Sequence, residues 1–151
     1  MATVNFLMLD KYRLNTFNGG AIDFSGATLK CAIVGASYSP NQNADEFWAD
    51  AQSAEVTGTG YTAGGNPCIN ATATLSAAGL VSVDAADPAT WTQEDLGFSD
   101  ARRVVIYDDT GSPVTSPILG YSADFGTDQG NVAGDFFVAI NSAGLFTSAR
   151  A

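Results

Sequence analysis

The chain has 151 residues, 46% of them hydrophobic, which is enough apolar material for one domain to bury a core without metals or a disulfide mesh. Sixteen acids against six bases leave a net charge of -10, which argues against a nucleic-acid-binding face and against docking on an anionic membrane. There is no histidine, so Ser-His-Asp and Cys-His catalysis and imidazole-ligated zinc are excluded together.

No apolar run approaches the roughly 18 residues that a membrane-spanning helix needs. The opening Met1 to Asp10 lacks the basic stretch and cleavage site of a secretion signal, so synthesis in a cytoplasm is expected. Cys31 and Cys68 are too few for a disulfide framework. They read as small buried thiols, with a bond between neighbouring strands as the alternative.

In chain order, Val4 to Phe17 carries Phe6, Leu9 and Tyr12 at helical spacing, with Leu7 and Leu14 one heptad apart. This predicts a helix stopped by Asn18-Gly19-Gly20; the competing reading is an extended arm, because Val4-Asn5-Phe6 can also pair as a strand. Thr28 to Ala36 reads as a central strand. Ala44, Phe47, Trp48 and Ala51 predict a short helix over 43–51, with Asn43 as its cap.

Gly58, Gly60, Gly64 and Gly65 mark tight turns around Tyr61. Ile69, Ala71, Ala73 and Leu75 alternate with polar residues, which predicts a strand with one wet face. Leu80 to Val83, Arg102 to Tyr107 and Pro117 to Phe125 give further strands. Asp135 to Ile140 and Leu145 to Thr147 read as a last pair of strands. About seven or eight short strands and two helices predict a mainly β fold. It is a sandwich or barrel-like domain, mostly antiparallel, with an N-terminal helix and one short additional helix. The expected division is a helix or arm over 1–20 and a single β-rich domain over 21–151.

Residues suited to carrying chemistry are sparse. Gly58-Thr59-Gly60 lacks the lysine and following helix of a phosphate loop. Acid pairs such as Asp108-Asp109 suit glycoside hydrolysis only if a cleft separates them. Asp124, Asp128, Asn131 and Asp135 offer clustered oxygens of the kind calcium prefers, without the spacing of a helix-loop-helix calcium motif. Trp48 and Trp91 would serve a sugar-stacking platform if they are exposed. The residues therefore predict no enzyme and no cofactor.

Several blocks resemble a family of small virion structural proteins of tailed bacteriophages. They are the run Leu29 to Asn41, the stretch Asp45-Glu46-Phe47-Trp48-Ala49-Asp50, and Glu55 to Gly65 with its Gly60-Tyr61-Thr62-Ala63-Gly64-Gly65 segment. Asp84-Ala85-Ala86-Asp87 before Trp91, Ala101 to Asp109, and Leu119-Gly120-Tyr121 before Asp124-Phe125-Gly126 follow in the same order. The resemblance covers roughly residues 10–147; Cys31 and Cys68 depart from it. It implies a head decoration (cement) protein or a tail, neck or fibre-associated component, with no catalytic residues. As a decoration protein the chain would bind the major capsid protein lattice on the outer capsid surface, as a homotrimer, without nucleic acid or membrane. Phe6, Leu9 and Tyr12 of the N-terminal segment, and Gly58, Gly60, Tyr61, Gly64 and Gly65 of the turn, are the residues expected at that contact.

Overall fold

A run such as Leu29-Lys30-Cys31-Ala32-Ile33-Val34 has apolar side chains on both faces of an extended chain, so it is stable only where both faces are covered. The computed structural model describes residues 2–19, Phe24 and 28–149. In it the fold is mainly β. The elements are β1 (Ala2–Val4), β2 (Phe6–Met8), α1 (Asp10–Phe17), β3 (Leu29–Val34), α2 (Ala49–Gln52), β4 (Asn66–Pro67), β5 (Thr72–Ala77), β6 (Leu80–Asp84), β7 (Arg103–Asp108), β8 (Ile118–Ser122), β9 (Val138–Ile140) and β10 (Phe146–Ala149).

The main antiparallel sheet has the order β2-β8-β7-β3-β4. Its centre is β3 against β7, with Lys30 opposite Tyr107, Cys31 opposite Ile106 and Ala32 opposite Val105. Alternation therefore puts Ala32, Val105 and Tyr107 on one face and Cys31, Ile33, Val104 and Ile106 on the other. All of these are buried. Trp48 covers the first face, its ring stacked on Tyr107 at 4.7 Å. A smaller antiparallel sheet, β10-β6-β5, meets the second face. Gly120 lies opposite Ile106 there, and a Cβ on it would fall 2.6 Å from the Phe146 ring, so glycine lets the two sheets close. Beside them, β1 and β9 form a parallel pair.

The N-terminal segment divides between the two readings. Val4 and Phe6 point inward while Asn5 and Leu7 are exposed, a period of two, and β2 pairs with β8. Leu9 remains extended (φ -70°, ψ 141°) and donates its N–H to the Leu119 carbonyl, so the helix starts only at Asp10. Strand pairing outweighs the helical spacing because it satisfies the backbone and buries Phe6 at once.

The helix expected over 43–51 is also shorter. The Asp50 carboxylate accepts the N–H groups of Glu46 and Phe47, and Phe47 bridges to Pro117, so only Ala49–Gln52 is helical. The last two strands do not pair with each other: β9 joins β1 and β10 joins β6. The alternating segment does form β5, yet Leu75 is 72% exposed, because that strand lies at the outer edge of the small sheet.

Gly65 is the position most dependent on glycine. Its φ is +79°, and a Cβ there would sit 2.0 Å from the Cys31 carbonyl oxygen. Gly111 has a similar φ of +89° with nothing within 4 Å. Gly111→Ala is therefore expected to cost about 1 kcal/mol from backbone strain alone. Gly65→Ala must also displace the loop from β3 and should cost more than about 2 kcal/mol. Denaturant unfolding of the two variants checks this; equal losses would refute the steric account.

Candidate functional site

The glycine turn is held by one carboxylate. Glu55 bridges to Val34 at the end of β3, and its Oε1 accepts the Tyr61 hydroxyl at 2.8 Å and the N–H of Gly64. The Tyr61 oxygen in turn accepts the Ile33 N–H at 3.0 Å, and Tyr107 donates its hydroxyl to the Gly64 carbonyl at 2.9 Å. Burial raises the Glu55 carboxyl above its ordinary value; the Tyr61 hydroxyl, the Gly64 N–H and Lys30 oppose the shift in part. Burial likewise pushes the Tyr61 and Tyr107 phenols up, so both remain neutral donors. Lys30 pairs with Asp109 at 2.8 Å and holds that carboxyl below the usual range.

This network serves the chain's own packing, while Gly60 stays exposed and Gly58, Tyr61 and Gly64 are half-buried. Gly65 is buried against Cys31. Gly58 lies against the backbone of Gly97 and Phe98, where a Cβ would meet atoms at 2.5 Å, and Gly60 lies beside Glu94 and Asn131. The Tyr61 ring packs on Trp91 and Phe98. Phe6, Leu9 and Tyr12 are also buried in the core, because β2 pairing turns Phe6 inward and α1 places Tyr12 toward the sheets. Of the three, Tyr12 also lines a surface groove.

The four oxygen-bearing residues considered for calcium go to different partners. Asp124 pairs with Arg102 at 2.8 Å and with Arg103 at 3.2 Å, and Asp128 pairs with Arg102 at 3.3 Å. The Gly126 N–H, then Arg102, hold the Asp124 carboxyl below its ordinary value. Two guanidinium groups at one carboxylate oppose a dication on electrostatic grounds. Asn131 is buried and bonded to Phe98 and Thr92, and Asp135 accepts the Gln93 N–H. Among the described residues no cluster of three or more His, Cys, Asp or Glu is placed to hold a metal.

Cys31 and Cys68 are free and buried, and burial together with Cys68 pushes the Cys31 thiol up, which suppresses its nucleophilic form. Trp48 and Trp91 are 3% and 1% exposed, so neither can stack on a sugar; they are core residues. The condition set for a sugar-stacking platform, an exposed Trp48 or Trp91, is not met.

Several large apolar side chains stay uncovered. On α1, Leu14 and Phe17 stand one turn apart and are 52% and 88% exposed. Between this helix and the small sheet runs a groove of about 230 Å³ walled by Met8, Tyr12 and Phe17 on one side and Ala73, Val81 and Val83 on the other. Arg13 is its charged group, paired with Asp10 at 3.4 Å. The signal that points here in the sequence is a stretch without one charged residue, Asn66 to Val83, in a strongly acidic chain.

Compared with protein-family models, with curated proteins and with solved structures, the chain matches none.

Glu55 gives a test of the turn. A carboxyl raised in the folded state weakens folding at neutral pH, and this penalty fades as pH falls through the folded-state pKa toward the unfolded one. Glu55→Gln keeps the Oε1 acceptor and removes the charge. It should be at least as stable as the parent at pH 7, with the advantage shrinking toward pH 4. Glu55→Ala leaves the Tyr61 and Gly64 donors without their acceptor and should cost about 1–3 kcal/mol. Thermal melts across pH decide; a Gln variant as unstable as the Ala variant would show that the negative charge itself holds the turn.

Proposed function

We propose that the chain is a structural protein of a tailed-bacteriophage virion, a capsid decoration protein that binds the major capsid protein lattice and stabilises the shell. The observation that supports this best is the exposed apolar pair Leu14 and Phe17 beside the groove, on a chain of net charge -10. An exposed aromatic rimmed by polar residues is a common mark of a protein contact. The resemblance of the Leu29 to Asn41 and Glu55 to Gly65 blocks to small virion proteins supplies the identity of that contact. An acidic surface suits the outer face of a shell, away from packaged DNA. Many copies on a lattice turn weak single contacts into firm binding by avidity. The homotrimer implied by the resemblance suits a threefold position on such a lattice.

The second reading, a tail, neck or fibre-associated component, rests on the same resemblance and differs in stoichiometry. Quantitative mass spectrometry of purified particles separates the two. A ratio to the major capsid protein near one is expected; a ratio of a few per cent would overturn the decoration reading and favour the tail.

Removing residues 1–17 is not a clean test of the contact, because it deletes β1, β2, α1 and the core side chains of Val4, Phe6, Leu9 and Tyr12. Phe17→Glu is clean, since the side chain is exposed. It should change stability by no more than about 0.5 kcal/mol. Binding to particles stripped of the protein should fall at least about tenfold, a loss near 1.4 kcal/mol. Unchanged binding would remove α1 from the interface.

A further inference from the structure

We infer that two copies of this chain associate through β5, forming a continuous sheet across a twofold axis. The inference stands apart from the proposed function: it concerns a different surface from Phe17, and its twofold contact takes the place of the homotrimer that the resemblance implies. In the order β10-β6-β5, β5 is the outer strand, and among the described residues it pairs with β6 alone. An outer strand carries backbone donors and acceptors that another strand can satisfy. Soluble proteins usually blunt such edges with lysine or proline, and Thr72-Ala73-Thr74-Leu75-Ser76-Ala77 contains neither. The register shift between Leu75 and Ala77 limits regular pairing to the Thr72–Leu75 end.

The faces of this strand point the same way. Leu75 lies opposite Val81, Ala73 opposite Val83, and Val83 opposite Phe146, so these residues share one face of the small sheet. Val83 and Phe146 are buried, whereas Leu75 is 72% and Val81 41% exposed. The core face therefore continues past its own cover and ends uncovered at the edge. Pairing of β5 with its twofold mate about Thr74 sets each Leu75 opposite Ala73 of the other copy on that face, because antiparallel partners keep their facing. The contact is isologous and closes at two copies.

Charge selects a second copy as the occupant. Two chains of net charge -10 repel over most of their surfaces. The stretch Asn66 to Val83, which contains β5 and most of β6, carries no charge and lets them approach. A cationic partner would gain nothing at this edge and would be drawn to the acidic surfaces elsewhere. Raising ionic strength should therefore tighten the association, since only the residual repulsion is screened.

Sedimentation velocity over a concentration series tests this on the full chain. The expected result is a monomer–dimer equilibrium that tightens between roughly 0.05 and 0.5 M NaCl, as the Debye length falls about threefold. Leu75→Glu and Thr74→Glu each place like charges across the twofold and should weaken the dimer at least about tenfold. Both positions are exposed, so the monomer should stay folded by circular dichroism. Leu96→Glu, at an 80% exposed leucine outside the uncharged stretch, should leave the dimer intact. A monomer at every concentration, a closed trimer, or dimers indifferent to the β5 variants would overturn the inference. Particle binding measured on the same variants keeps the two readings apart. A failed dimer with intact shell binding sinks only the edge pairing, and lost shell binding by Phe17→Glu with an intact dimer supports only the decoration contact.

Discussion

The pairing of β3 with β7 sets the terms for the rest of the molecule. Both strands are apolar on both faces, and a sheet of that kind leaves no side for water. Two layers must then be found within a short chain. The Trp48 ring on Tyr107 and the polar turn around Gly64 close one face. The small sheet, entering through Phe146 above Gly120, closes the other. The N-terminal strand extends the main sheet past β8 and commits Phe6 and Leu9 to the core.

The glycine turn follows from the same constraint. To reach β4 the chain must pass close over the end of β3, and the Cys31 carbonyl leaves no room for a side chain at Gly65. The turn's polar backbone then needs partners away from water, and Glu55, Tyr61 and Tyr107 supply them. A half-buried carboxylate is still costly unless its oxygens are hydrogen-bonded, which explains why one Glu55 oxygen takes two donors. Tyr61 and Gly65 are thus committed to closing the fold.

Acidity is distributed with a purpose that only the folded chain makes visible. Asp109 and Asp124 are tied to Lys30, Arg102 and Arg103, so much of the scarce positive charge is used internally. Apolar side chains stay exposed on the small sheet, at Leu75 and Val81, and on α1, at Leu14 and Phe17. Those two regions adjoin across one groove, so a lattice contact and a contact between copies can coexist on one side of the molecule.

The sequence by itself determined the mainly β class, the central strands and the buried thiols. Those readings rest on local patterns, such as the unbroken apolar runs of Leu29 to Val34 and Val104 to Tyr107, whose burial any fold must provide. It also offered both helix and strand for the first residues, because Phe6, Leu9 and Tyr12 fit a period near 3.6 while Val4 and Phe6 fit a period of two. Only the tertiary structure decided between them, since the deciding bonds run to β8, far along the chain. The same holds for the site residues. Spacing shows that Tyr61 and the glycines are special but not whether their neighbours are solvent, a partner or β3. Exposure is a property of what packs above a residue. That is why Leu14, Phe17 and Leu75, ordinary core candidates by pattern, emerged at the surface while Trp48 and Trp91 did not.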